Sequence, residues 1–352
     1  MEIIYDKKMK NYYFRGENKK FSDITSSLLR RSKSLLSKQH FYNMIINTYF
    51  NEVATNIDQF ERDNFLAFSQ HHGLWTNLID FTTSPLVALY FACEKYNKTG
   101  YVYLINKNNT IEISELVNQK CTPPKNCYNI VDLLISDDRE TINYLKEYLI
   151  SYFWDHDNIQ HFIDSVCNCC LKFPDSSIIK SFANEYYAAK KDSFVQAQNG
   201  KGFDLSKCEQ ILNHYFRSLD ISGMPSNLCE YLTLIYLYFS DISAASFFMP
   251  ENYDEFPEIP YFIYKTPYKF DRIRNQEGIF LYQNFKSYAL HHEDLIDNIT
   301  IQKIHPDITI EVHNQALIRN QLDYVGINRK FIYGDNDNIA QYVNNKFIDN
   351  IR

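Results

Sequence analysis

Along the chain the hydrophobic positions change their period twice. Short β-type runs and helical stripes mix over roughly the first hundred residues, helical stripes dominate the middle, and β-type runs return near residue 257. Tyr12, Tyr13 and Phe14 predict a short strand ending at Arg15, with Gly16 permitting a tight backbone. Lys20 to Leu36 predicts a helix through Leu28, Leu29, Leu35 and Leu36. A second, amphipathic helix is expected from Gln39 to Ala67, through Phe41, Ile45, Tyr49, Phe50, Val53, Ile57, Phe60 and Phe65. Gly73 breaks a helix that ends near His71. Thr82, Thr83 and Ser84 then form a polar cap before Pro85, which predicts a helix from Pro85 to about Tyr96 with Ser84 as its N-cap. Tyr101 to Ile105 reads as a strand.

From Asn106 to Pro250 the pattern is mostly helical: Asp138 to Phe153, Asn158 to Cys170, Ser177 to Gln198, Leu205 to Leu219 and Leu228 to Phe239, apart from a short strand at Thr110 to Ile113. Strand signals resume at Tyr261 to Tyr264, Gly278 to Phe285, Ile299 to Ile304 and Ile308 to Val312. Helices follow at His313 to Val325, closed by Gly326, and at Asp335 to Phe347. The fold class expected is α/β of the α+β kind: a discontinuous mixed-sheet domain formed by residues 1–107 and 255–352, interrupted by a helical insertion at 108–254.

Composition narrows the function classes. The 352 residues include 28 Tyr and 26 Phe, enough for a large core. A net charge of −7 supplies no global positive field for nucleic acid, and Lys19, Lys20, Arg30, Arg31, Lys33 and Lys38 read as a solvated helix face. No uncharged apolar run reaches the roughly 18 residues of a membrane span, and the first residues lack a signal-peptide core, so a cytoplasmic protein is expected. The 8 Cys are irregularly spaced, with one cluster at Cys167, Cys169 and Cys170. They read as reduced thiols, and no metal is predicted.

Candidate chemistry concentrates in three places. Arg15 beside Gly16 can hold a phosphate or carboxylate through two parallel hydrogen bonds. The stretch from Ser69 to Cys93 offers His71 and His72 as acid–base or hydrogen-bonding groups and Asp80 as a carboxylate within an apolar run. It also presents Thr82 and Ser84 at a helix N-terminus suited to an anion. At the entry to a later strand, Arg272 suits an anion, Gln276 a sugar hydroxyl, and Glu277 the role of base. P-loop, dinucleotide-binding glycine, zinc-protease and nucleophile-elbow motifs do not occur.

Phe14-Arg15-Gly16, then Gln70-His71-His72-Gly73-Leu74 with Thr76, Leu78, Asp80 and Thr82, then Ser84 to Ala92, together resemble the FRG domain family. Arg272-Ile273 with Gln276, Gly278 and Phe280, and Leu322 with Gly326-Ile327, resemble its later blocks. Departures are Glu17 for a usual Gln, Trp75 for Pro, Asn77 for Arg and Phe81 for Trp. The order Arg15-Gly16, Thr82-Thr83-Ser84, Gln276-Glu277 is also similar to that of ADP-ribosyltransferases of the Arg–Ser–Glu type. That similarity implies NAD as substrate, with Arg15 on a phosphate, Thr82 or Ser84 at the nicotinamide side, and Gln276 or Glu277 at the ribose or the acceptor. The expected protein is an ADP-ribosyltransferase or NAD hydrolase, a toxin or phage-defence effector, with a protein or nucleic acid as acceptor. On this reading Arg15, His71, Thr82, Gln276 and Glu277 are catalytic, and Gly16, His72, Asp80, Ser84 and Arg272 bind substrate. The competing expectations are a nucleotide- or nucleic-acid-binding module without chemistry, and a structural partner-binding protein.

Overall fold

A computed structural model describes residues 7–31, 41–95, 99–123, 128–135, isolated positions between 138 and 196, 260–267, 271–287 and 299–351. The chain divides into two compact units. Met1–Ile130 and Pro260–Arg352 form one, and Val131–Ile259 the other. The expected helices between Asp138 and Phe239 and the cysteine cluster at 167–170 lie wholly or largely outside the described residues.

The first unit is built on a mixed sheet. Its described strands are β1 (Tyr12–Glu17), β2 (Leu78–Thr82), β3 (Gly100–Asn106), β4 (Thr110–Glu112), β5 (Tyr261–Tyr264) and β6 (Gly278–Tyr282), joined by β9 (Ile308–Val312) at the far edge. A separate hairpin pairs β7 (Phe285–Ser287) with β8 (Ile299–Ile301). The order across the main sheet is β4-β5-β6-β2-β1-β3-β9. Only the β4–β5 pair among these is parallel. Strands from before residue 130 and after residue 260 are therefore interleaved in one sheet, so the sheet is discontinuous in sequence as the hydrophobic pattern predicts. Thr110–Glu112 and the helix α5 (Ser114–Lys120) belong to this unit, because β4 pairs with β5 from Thr110 opposite Tyr261 to Glu112 opposite Ile263.

Alternation along the strands gives the sheet two apolar faces. One carries Tyr13, Ile79, Phe81, Tyr103, Ile105, Ile263, Ile279 and Leu281, with Ile24 and Ile304 packed over them. The other carries Phe14, Val102, Leu104 and Val312, and is covered by Ala88, Ala92 and Cys93 of the helix α4 (Pro85–Ala92) and its C-cap. The outer side of α4 continues the core through Val87 and Tyr90 onto Leu322 of α8 (Gln315–Tyr324) and Ile332 of α9 (Arg329–Tyr333). The last helix, α10, spans Asn336–Ile351.

Small residues set how closely α4 approaches. A Cβ on Gly16 would overlap the carbonyl of Ala88, and one on Gly100 the carbonyl of Ala92. The bare backbones of β1 and β3 thus receive a helix whose facing residues are alanines. The close approach that Gly16 permits is that of α4.

Several local expectations are corrected. Residues 20–31 form turns rather than a helix, while Leu28 and Leu29 are buried in them. The single helix expected over 39–67 is, from residue 41, α1 (Phe41–Val53), α2 (Gln59–Asp63) and α3 (Phe65–His71). The break comes where Asp58 and Glu61 form a capping box that starts α2 afresh. α4 stops at Ala92 rather than Tyr96. Ser84 makes no side-chain cap. Its own N–H donates to Thr82 Oγ1 at 2.9 Å instead. Two short helices escape the periodicity altogether: α7 (Asp271–Asn275) and α9 are each five residues long, too short to show a stripe. The helix Ile130–Ile135 (α6) ends the continuous description on the N-terminal side.

Gly16→Ala is expected to destabilise the protein by about 3 kcal/mol, because the new methyl meets backbone that cannot swing aside. Gly73→Ala has open space around it and carries only the strain of φ +87°, about 1 kcal/mol. Denaturant melts of both variants check the order of the two effects.

Candidate functional site

Strand β2 lies between β6 and β1, and four of its five residues are buried: Leu78, Ile79, Phe81 and Thr82 are each no more than 5% exposed. Asp80, between them, is exposed. The sequence reads Asp80 as a buried carboxylate in need of a partner. The structure instead leaves it exposed, on the opposite face of the sheet from Ile79 and Phe81. It borders a small open cleft of about 70 Å³, lined also by Gln70, His71, Arg272, Gln276 and Phe280. Three separate parts of the chain supply these groups: the end of α3, the middle of β2, and α7 with the start of β6.

Each polar group in the cleft is positioned by a traceable contact. Gln70 donates from Nε2 to Asp80 Oδ2 at 3.4 Å, while its Oε1 accepts from Thr76 Oγ1 at 2.5 Å, so the amide keeps its donor towards the carboxylate. Gln276 donates from Nε2 to the carbonyl of Ile332 at 3.2 Å. The guanidinium of Arg272 stands 5.3 Å from the ring centre of Tyr333, whose hydroxyl donates to Glu94 at 2.6 Å. His71 ends α3, with its ring 4.9 Å from that of His72. Burial pulls the His71 pKa below its ordinary value. The neighbouring His72 and Arg272 push the same way, and the carboxylates of Asp335 and Asp80 oppose them. Its surroundings therefore favour the neutral imidazole over the charged form. His72 is exposed, its ring 4.4 Å from that of Phe68.

The other sequence candidates lie at the joints of the scaffold. Arg15 occupies the opposite face of the sheet from Phe14 and its cross-strand partner Thr82. Its Nε donates to Glu17 Oε1 at 2.8 Å and its Nη1 to the carbonyl of Asp80 at 2.7 Å. It braces β2 from behind and is not among the residues lining the cleft. Thr82 donates its hydroxyl to the carbonyl of Gln276 at 2.6 Å. Thr83 binds Glu277 twice, through N–H to the carbonyl at 3.1 Å and through Oγ1 to Oε2 at 3.0 Å. Glu277 is thereby held at φ 45°, a left-handed conformation uncommon for a residue with a side chain. Ser84 and Glu277 do not line the cleft. Asn77 is buried. It accepts from the Tyr42 hydroxyl at 2.9 Å and donates to the Gln283 carbonyl at 3.1 Å. Gln70 is the cleft residue that the sequence does not single out as functional. Its place beside His71 in the same short stretch was the available signal.

Of the candidate residues, His71, Asp80, Arg272 and Gln276 share the cleft, while Arg15 and Thr82 support its walls. Residues 10–100 match the family model of the FRG domain. The matched FRG segment carries Gln70, His71 and Asp80. Arg272 and Gln276 come from beyond it and complete the cleft through β6. No curated protein and no solved structure matches the chain. Among the described residues, no helix is long and apolar enough to cross a membrane.

Two outcomes are expected. Because the folded pKa of His71 is depressed, the unfolded chain takes up a proton there more readily. Folded-state stability is therefore lost as pH falls through the ordinary imidazole range near 6.5 and continues to fall until the folded pKa is reached. His71→Gln removes this term, so the difference in melting temperature between pH 7.5 and 5.5 is smaller in the variant than in the parent. Separately, Thr82→Val leaves the Gln276 carbonyl without its hydroxyl donor and costs about 1–2 kcal/mol, with Thr82→Ser restoring most of it in denaturant melts.

Proposed function

We propose that this FRG domain-containing protein acts on a nucleotide of the NAD type in the cleft around Asp80, cleaving the bond between nicotinamide and ribose. The observation that carries the reading is the convergence of an exposed strand carboxylate, an imidazole whose charged form is disfavoured, a guanidinium and two amides on one open cleft. Arg272 would hold the diphosphate, and Gln70 and Gln276 would orient ribose hydroxyls. As the glycosidic bond breaks, its electron pair leaves with nicotinamide, which departs neutral. Asp80 stabilises the positive charge that develops at the ribose carbon. Water, or a nucleophile of a protein or nucleic-acid acceptor, then forms the new bond, and His71 takes up its proton. Hydrolysis and ADP-ribosyl transfer differ only in that last partner.

A second reading has its own support. Arg15 and Thr82, which the motif order assigns to catalysis, are engaged with backbone carbonyls. This favours a module that binds a nucleotide and performs no reaction.

The deciding experiment is incubation with NAD, with nicotinamide release followed by mass spectrometry. The first reading expects turnover that Asp80→Asn lowers about a hundredfold or more and that Arg272→Ala weakens mainly through KM. Binding of NAD by calorimetry without nicotinamide release assigns the second reading. Absence of both binding and release removes the nucleotide from the account.

A further inference from the structure

Two opposite charges border the cleft and do not meet. Among the described residues, the Asp80 carboxylate receives the Gln70 amide at 3.4 Å and forms no ion pair. The Arg272 guanidinium lies over Tyr333 at 5.3 Å and, among the described residues, forms no ion pair or hydrogen bond. Both residues are exposed and so accessible to solvent. Among the described residues neither forms an ion pair with a charged neighbour, although Arg272 and Asp335 attract each other at longer range. Asp335, the acidic side chain near Arg272, is occupied at the start of α10, where its carboxylate accepts from the Asn338 N–H at 2.8 Å and from Asn338 Nδ2 at 2.9 and 2.7 Å. His71, the basic side chain near Asp80, has its charged form disfavoured by burial and by Arg272.

Each of the two charges is also held in place. Thr76 fixes the Gln70 amide against Asp80. Tyr333, tied by its hydroxyl to Glu94, forms a fixed platform under Arg272. A ligand entering the cleft displaces water from both charges. If it carries a countercharge for only one, the other is desolvated without compensation, at a cost in affinity.

We propose that the cleft is built for a zwitterionic ligand, presenting a cationic group to Asp80 and an anionic group to Arg272. On the NAD reading above, on which this rests, the cation is the nicotinamide ring of the oxidised cofactor and the anion is its diphosphate. The protein then selects NAD⁺ over NADH, whose dihydronicotinamide ring is uncharged, and over ADP-ribose, which lacks the ring.

The test is calorimetric binding of three ligands to the full chain: NADH, ADP-ribose, and a carbocyclic NAD⁺ analogue that keeps the cationic ring and resists cleavage. The parent protein is expected to bind the analogue about tenfold tighter than NADH, the scale of one partly screened charge pair. In Asp80→Asn that ratio collapses towards one. In Arg272→Ala all three ligands weaken by a similar factor and the ratio persists. Both side chains are exposed, so the variants are expected to fold, and melting curves check that they do. Equal affinity for the analogue and NADH in the parent, or a preference that survives Asp80→Asn, overturns the proposal while leaving the nucleotide reading intact. Failure of all three ligands to bind overturns that reading and this proposal with it.

Discussion

The first unit depends on backbone meeting backbone where α4 lies on β1 and β3. Gly16 and Gly100 present no side chain to the Ala88 and Ala92 carbonyls, and any larger residue would push the helix off the sheet. Close packing of this kind lets a helix of eight residues act as a rigid element, although it is too short to be stable alone. It also fixes where α4 begins. Pro85 opens the helix, and the chain entering it must leave β2 at Thr82 in one particular direction. The hydroxyl of Thr82 and the double contact of Thr83 can then reach the turn at Gln276 and Glu277. The strained backbone at Glu277 is sustained by these contacts, and it sets the point at which β6 starts alongside β2.

The motif residues therefore divide by task. Arg15, Gly16, Thr82, Thr83 and Glu277 hold strands, helix and turn in register. Gln70, His71, Asp80, Arg272 and Gln276 face the space that this framework leaves open. Arg15 shows why the two groups travel together in sequence. Its side chain lies across the sheet from the face shared by Phe14 and Thr82, yet its Nη1 bonds to the carbonyl of Asp80, so it fixes the position of a carboxylate it does not touch. A group that places another can be as restricted in identity as one that does chemistry.

The strands were legible because their aromatic and β-branched runs are compact. Tyr12–Phe14, Tyr101–Ile105, Tyr261–Tyr264 and Ile308–Val312 each fall within a strand or nearly fill it. The discontinuous sheet followed from where those runs stop and resume. Local breaks were less legible. Periodicity carries on through Ile57 and Phe60, while the restart of the helix is decided by hydrogen bonds of Asp58 and Glu61. The site was half legible. Residue type marked Arg272, His71, Asp80 and Gln276, but nothing in residue type separates an arginine that faces a cleft from one whose donors are spent on Glu17 and a carbonyl. That distinction depends on the side of the sheet, and so on a register between strands about 65 residues apart. Asp80 shows the same limit. An apolar run around a carboxylate reads as burial, whereas in a strand with a period of two the neighbours of an exposed residue are the buried ones.

Keeping Asp80 and Arg272 apart has a physical logic beyond any one ligand. Had the two side chains been able to pair, an internal salt bridge would compete with every ligand, and binding would first have to break it. Anchoring the carboxylate through Gln70 and Thr76, and the guanidinium through Tyr333 and Glu94, removes that competitor by geometry. Gln70 and Tyr333, the groups in contact with the two charges, are themselves uncharged, so they orient the charges without pairing them. This is preorganisation in the electrostatic sense. The cost of holding like-fixed dipoles and charges in place is met during folding, and the ligand meets a field already pointing from one wall to the other.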